Sequence, residues 1–543
     1  MIAGSVILTF RACSLLFRFF PCQVVCIGCH TDSSLPTLVP AVSVAVVATS
    51  SHLPALRSSS HTAARCSGCS FEAENFKPYS VSRCGVLLGM ASALQKDVLE
   101  KFQKEFLKDP KNRLAQNVCT KVDLKDVYLS HQTSTNVHHV VSHKVDIEGK
   151  PVTNQRVSGR CWIFACLNAI RVPMMRHLQL EELELSAAYL FFWDKVERCN
   201  FFLNSMVETA RRGEPVDGRL VSFLLKDPLN DGGQWDMLYN LITKYGLMPK
   251  RCFAETLCSE SSGRLNTLLS SKLREYARDL RQLVEKGCSD ADIQPRIEQM
   301  METVYRIVSI CLGTPPTTFT WEYYNKNKVY CSLGPTTPLE FYENVVKPHF
   351  NMDDKICLVH DPRPENPFGR TYTVEYLGNM VGGRRVLYNN QPLEVLMQMV
   401  VDSVKANEAV WFGCEVAKMF DLKRGILDLA LHDYESVFGT EVCLGLSKAE
   451  RLLYGESLMT HSVLFSGVSL DAENNPVKFR VENSWGDDSG DKGYIIMTQE
   501  WFREFVFEVI VDRKFASPEV LAVNEKEPKV LPAWDPMGAL ARC

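Results

Sequence analysis

At 543 residues, with 46% hydrophobic and 23% charged side chains, the chain has the composition of a soluble globular protein and is too long for one ordinary core; length alone suggests about three or four domain-sized units. A formal net charge of −4 excludes the strongly basic footprint of a dedicated nucleic-acid binder. Of the 20 cysteines, seven precede Met90 and the rest show no paired spacing, so the core is read as cytosolic, reduced and free of disulfides.

Residues 1–89 stand apart. Their only acids are Asp32, Glu72 and Glu74, among much Ser, Ala, Val and Cys. The apolar run from Ile2 to Cys29 is broken by Arg11 and Arg18. It falls short of the ~20 apolar residues a membrane helix needs, so no membrane association is expected. A signal or transit peptide would suit the composition, but no clear cleavage site follows. Cys26-Ile27-Gly28-Cys29-His30 matches the c-type haem attachment pattern, and Cys66-Ser67-Gly68-Cys69 is a second CxxC. Neither has a supporting fold around it, and their separation is too wide for zinc, so no haem or metal is assigned. The segment is expected to be disordered or absent from the mature protein.

Order is expected from Ser92-Ala93-Leu94-Gln95, a capping-box pattern. Leu94, Val98, Phe102 and Phe106 follow at four-residue spacing and predict an amphipathic helix ending before Pro110. His131, His138, His139 and His143 cluster next, with no Cys or acid at ligand spacing, so no metal is assigned there.

The stretch Gln155-Arg-Val-Ser-Gly-Arg-Cys161-Trp-Ile-Phe-Ala-Cys166 is the most informative in the chain. Gly159 precedes Cys161 by two residues, and an apolar helical pattern runs on to Arg171, with Pro173 read as its end. Cys161 therefore falls on the first turn of a buried helix, where the partial positive charge and unpaired N–H groups favour thiolate over thiol. Gln155 is an uncharged amide suited to donating to a developing oxyanion. A second apolar helix starts near Leu185-Ser186-Ala187. Asn230-Asp231-Gly232-Gly233-Gln234-Trp235 leads into a third, ending near Gly246. Residues 262–312 carry long helical patterns, including Leu273, Tyr276, Leu280 and Leu283. Residues 313–388, rich in Pro, Gly and aromatics, read as strands and loops.

Residues 390–516 read as strand-rich. Ala409–Gly413 is a buried strand, Thr460-His461-Ser462-Val463 starts another, and Arg480-Val481-Glu482-Asn483 ends a third before Ser484-Trp485-Gly486. A thiol nucleophile needs an imidazole to take its proton, and the imidazole needs a third group to fix its tautomer. Cys161, His461 and Asn483 supply those parts in chain order. Trp485 is apolar enough to keep water off an Asn483–His461 hydrogen bond. The tail from Leu531 to Ala541 has no regular period, but Trp534, Met537 and Leu540 argue for docking on a surface.

Gln155, Cys161, His461 and Asn483 together resemble the papain-like cysteine peptidases, and residues 90–541 resemble one aminopeptidase branch of them. The resemblance implies an α+β, papain-like cysteine peptidase fold: a helical half, a β-barrel-like half and a large helical and hook-like insertion. It implies no cofactor and no metal. Papain-type enzymes place the His about 130–150 residues after the Cys. Here the interval is 300 positions (461 less 161), and the excess must be inserted structure. The implied divisions are 90–257 with Cys161, 258–388 as an oligomerising insertion, 389–516 with His461 and Asn483, and 517–543 as a tail docking in the active-site cleft. Gly232, Gly233 and Trp485 carry over as cleft residues. A terminal carboxylate at Ala541 would anchor the α-ammonium of a peptide or small amide substrate, making the enzyme an aminopeptidase. Arg542 and Cys543 extend past that point and would have to be trimmed. The branch implies a homohexameric ring and, for some members, weak nucleic-acid contact. Lys326, Lys328, Arg384 and Arg385 are the cations such contact would use, though ordinary solvated charge is the plainer reading. The position of a second family Trp is held by Ser489. Two other classes remain: a papain-type endopeptidase with the same four residues, and a nonenzymatic nucleic-acid-binding ring.

Overall fold

The centre of the fold is a helix, Cys161–His177, laid against a sheet strand, His461–Leu470. The computed structural model describes residues 93–540. The expectations placed on residues 1–89, on Ser92 of the capping box, and on Ala541, Arg542 and Cys543 lie outside the described residues.

The central helix is apolar on all sides and correspondingly buried on all sides. Pro173 sits inside it, and the chain stays helical to His177. A proline costs about 3 kcal/mol in a helix interior. Burial of Val172, Met174 and Met175 around it, at about 1.5–3 kcal/mol per side chain, outweighs that. The next helix, Ala187–Arg211, is capped by the Ser186 hydroxyl, which accepts the Tyr189 N–H at 3.1 Å. Two long helices, Gly263–Glu285 and Asp290–Leu312, pack on it. They bury Leu273, Tyr276 and Leu280 from the first and Val304 and Val308 from the second.

The main sheet of the described residues has twelve strands. From one edge its order is Lys529–Leu531, Arg370–Val374, Tyr388–Asn390, Lys355–Val359, Val506–Asp512, Val410–Cys414, His461–Leu470, Pro476–Glu482, Tyr494–Thr498, Ile426–Leu427 and Phe420–Asp421. The short strand His143–Lys144 pairs with His461–Leu470. Alternation along each strand divides two cores. Trp411 and Leu464 face the core containing the central helix, while Phe412 and Phe465 face a second core shared with the helix Leu393–Lys405. A separate hairpin, Phe319–Tyr324 with Tyr330–Thr336, follows the two long helices. The architecture is α+β.

Two local expectations need correction. The N-terminal helix forms over Lys96–Lys108, but its apolar face is uncovered: Phe102 is 55% exposed and Leu94 67%. Its N-cap, Gln95, makes no side-chain capping bond. The tail is not irregular throughout. Lys529–Leu531 adds a parallel strand to Arg370–Val374, and Pro536–Gly538 forms a 3-10 turn capped by Asp535.

Candidate active site

The His461 ring Nε2–H donates to Asn483 Oδ1 at 3.0 Å. That bond fixes the tautomer and leaves Nδ1, on the other side of the ring, as the basic nitrogen. Nδ1 is buried without a hydrogen-bond partner. Burial pushes the imidazole down to about 4, partly offset by the Asn483 bond, so the ring is neutral at physiological pH and can accept a proton. Trp485 lies against it, tilted by 33°, with ring centroids 4.7 Å apart.

A side chain that sequence reasoning missed joins this pair to Gln155. The Ser484 backbone N–H donates to Asn483 Oδ1 at 2.8 Å, and its hydroxyl donates to Gln155 Oε1 at 2.7 Å. Its carbonyl accepts the Gln155 N–H at 2.8 Å, and Gly486 N–H donates to Thr153 O at 2.9 Å. Residues 153–155 and 484–486 thus form a two-rung clamp. Gly486 has φ +82°, and a Cβ there would come within 2.6 Å of Asn154. The adjacency of Ser484 to Asn483 was the only signal available for it.

Cys161 opens the central helix, directly after its N-cap, Arg160, and is buried. Several contacts hold that end in place. Trp411 Nε1–H donates to the Trp162 carbonyl at 3.1 Å, tying the helix to the strand beside His461–Leu470. Trp162 Nε1–H donates to Asp231 O at 2.6 Å, and the Asp231 carboxylate accepts the Gly159 N–H at 3.2 Å. Burial works against charge on Asp231, but the Lys195 ammonium 2.8 Å away outweighs it and holds the carboxyl well below its ordinary range. Deeper along the helix, Arg171 pairs with Glu482, the residue before Asn483, with both side chains almost fully buried. The Cys161 helix and the Asn483 turn are therefore locked in register from both ends.

Gly233 lies flat on the Trp162 indole, where a Cβ would meet the ring at 2.5 Å. The close approach that Gly233 permits is thus to a side chain. Gly232 N–H caps Asn230 Oδ1 at 3.0 Å. A cavity of about 730 Å³ reaches Asn230, but Gly232, Gly233 and Trp485 do not line it. Its wall includes Asn230, Phe202, Met459 and Thr460, the residue before His461, and on one side tail residues 533–536 and 538–540. The tail is held by Gln234 Nε2–H donating to Ala539 O at 2.7 Å and by Tyr388 OH donating to Met537 O at 3.0 Å. Trp534 lies under the Arg219 guanidinium at 4.2 Å. Asp535 takes a two-pronged bond from the buried Arg363.

Among the cations named for nucleic-acid contact, Arg384 is engaged by buried Asp236 at 2.9 Å and Lys328 by Glu181 at 3.4 Å. Among the described residues no cluster of metal-ligating side chains occurs, and no helix is long and apolar enough to cross a membrane.

The Peptidase C1-like family model matches residues 93–538. Human bleomycin hydrolase is 55% identical over 453 residues, spanning 83% of this chain and 99% of that protein. Aminopeptidase C of Streptococcus thermophilus is 37% identical over 450 residues, again 83% of this chain and 99% of that protein. In the solved structure of PepW from Lactobacillus rhamnosis HN001, 39% identical, the whole chain superposes on 83% of this one with a TM-score of 0.80. The aminopeptidase branch that the motif resemblance singled out is that of the bleomycin hydrolases. The chain belongs to the Peptidase C1-like family, with its papain-like fold, and is a cysteine-type aminopeptidase.

Proposed function

We propose that Cys161 is the nucleophile, His461 its general base and acid, Asn483 the group that orients His461, and Gln155 the side-chain donor of the oxyanion hole. His461 Nδ1 removes the thiol proton, and the thiolate attacks the amide carbon. The Gln155 amide and the Cys161 backbone N–H stabilise the oxyanion. Collapse breaks the C–N bond as His461 returns the proton to the leaving amine. Water, deprotonated by His461, then opens the thioester, releases the acid and restores the thiol. The observation that carries this reading is the Nε2–H bond to Asn483, which aims the partnerless Nδ1 away from Asn483.

The substrates proposed are peptides with a free N-terminus, trimmed from that end, and small amides or strained thioesters that one acyl step can open. The bleomycin amide and homocysteine thiolactone are the two such compounds the family resemblance names. The docked tail supports this restriction because it occupies one wall of the cavity. Gly232, Gly233 and Trp485 would contact the substrate, and a carboxylate at Ala541 would bind its α-ammonium. Divisions at 257/258, 388/389 and 516/517, a homohexameric assembly and a cytoplasmic location complete the proposal. The test is labelling with a thiol-directed epoxide followed by peptide mapping. The adduct is expected on Cys161 alone among the 20 cysteines; labelling spread over other cysteines, with activity retained, would overturn the assignment.

A further inference from the structure

Arg160 is a costly residue for its position. It is the N-cap of the central helix, where its side chain makes no capping bond, and that side chain is 0% exposed. Ser, Asp or Asn would cap the turn, and a cation is on the unfavourable end of the helix dipole. A buried charge is tolerated only when paired. Here Nη1 donates to Glu255 Oε2 at 2.7 Å, and Glu255 also accepts the Ser259 hydroxyl at 2.5 Å. The guanidinium sits 5.2 Å from the ring centroids of both Phe164 and Phe191. Its third arm gives the arrangement a purpose. Nε–H donates to Ser158 Oγ at 2.9 Å, the Ser158 hydroxyl donates to Gln155 O at 2.6 Å, and Gln155 Nε2–H donates to Ser158 O at 2.7 Å. The last bond uses one amide hydrogen of Gln155 and so sets the direction of the other.

We propose that Arg160, paired with Glu255, is a positioning residue that acts through Ser158 to aim the oxyanion-binding amide of Gln155. The inference rests on the role proposed for Gln155 above. Arg160→Lys and Ser158→Ala both leave a cation at position 160 and Glu255 in place, so these substitutions probe geometry rather than charge. Removing an oxyanion donor lowers kcat roughly 10²–10³-fold, and a misplacement of about 1 Å costs up to 10²-fold.

The test is made on the full-length protein with Arg160→Lys, Ser158→Ala, Gln155→Ala and the double variants of each with Gln155→Ala. Arg160→Lys keeps the charge but loses the fork; Ser158→Ala keeps the ion pair intact should the lysine variant fail to fold. Arg160→Lys and Ser158→Ala are each expected to lower kcat on an aminoacyl amide about 10–100-fold with KM within about twofold, and Gln155→Ala roughly 10²–10³-fold. The pH dependence of iodoacetamide alkylation at Cys161 is expected to stay as in the wild type. In the Gln155→Ala background, neither substitution should lower kcat further. Wild-type kcat in Ser158→Ala, fully additive losses, or a displaced alkylation profile would each overturn the role of Arg160. Wild-type kcat in Gln155→Ala would instead remove the oxyanion role of Gln155, and this inference with it.

Discussion

Asp535→Asn is the sharpest probe of the tail. Arg363 Nη2–H and Nη1–H donate to the two Asp535 oxygens at 2.7 and 3.1 Å, and Asp535 Oδ1 also accepts the Met537 N–H at 2.9 Å. Asparagine is isosteric and keeps one acceptor, so the change removes one charge-assisted bond and weakens the other. Hydrogen bonds to charged groups are worth about 1.5–3 kcal/mol each. Arg363 is not orphaned, because Asp361 accepts its Nε–H and Nη2–H at 2.9 and 2.8 Å. The larger penalty of an uncompensated buried charge therefore does not apply. A loss of about 2 kcal/mol lowers the docked-to-undocked ratio of the tail about 30-fold. The assay compares kcat/KM on an aminoacyl amide and on its N-acetylated form. The ratio should shift by up to about 30-fold toward the acetylated substrate, and further in a chain lacking residues 537–543. Epoxide labelling of Cys161, which is buried with the tail in place, should quicken in parallel. If both variants keep the wild-type ratio, the tail does not set exopeptidase specificity.

Two further predictions concern stability. Burial pushes the carboxyl of Glu508 up to about 8, despite the Cys357 thiol 3.0 Å away. The native state thus holds a proton that the unfolded chain releases near its ordinary value of 4.5. Its contribution is fully present below that pH and is lost as pH rises toward 8. That difference corresponds to about 5 kcal/mol at most. Glu508→Gln should flatten the fall in melting temperature between pH 5 and pH 8; parallel curves for the two proteins would count against the raised carboxyl. Gly233→Ala drives a methyl into the Trp162 ring and should destabilise by about 1–3 kcal/mol. An unchanged melting temperature would show that the ring can move aside.

The elements that carry the proposed site residues were legible because residue type and chain order mark them. A thiol at a helix start, a His entering a strand and an Asn after another are local patterns, and the fold places all three as elements of one packed unit. What was not legible is what lies between them. Nothing local distinguishes Arg160, Lys195, Asp231 or Glu255 from the solvated charges that make up most of the charged residues, yet the first three are buried near the Cys161 helix and Glu255 is partly buried against Arg160. Their burial depends on partners roughly 35 to 95 positions away, and sequence periodicity does not report such distances. Pro173 misled for the same reason: helix propensity is local, and the burial that overrides it is tertiary. The N-terminal helix is the converse case. Its period was right, but periodicity alone does not say whether an apolar face is covered.

Residues 255–266 are bonded directly to the segment that carries Gln155 and Cys161. Val157 N–H donates to Glu260 O at 2.9 Å, and Ser262 Oγ–H donates to Asp231 Oδ2 beside Lys195. Asn266 Nδ2–H donates to Asp231 Oδ1 at 2.6 Å from the first turn of the long helix Gly263–Glu285. Residues 255–266 therefore supply hydrogen-bond partners to Val157, Arg160 and Asp231, the groups that set the backbone around Gln155 and Cys161. Asp231 also keeps Lys195 and the Gly159 N–H, so losing the Ser262 or Asn266 bond loosens it without stranding it, whereas losing Glu255 leaves the buried Arg160 charge without its ion partner. The long helix Gly263–Glu285 is thereby tied, through Asn266 and Asp231, to the segment that carries Gln155 and Cys161.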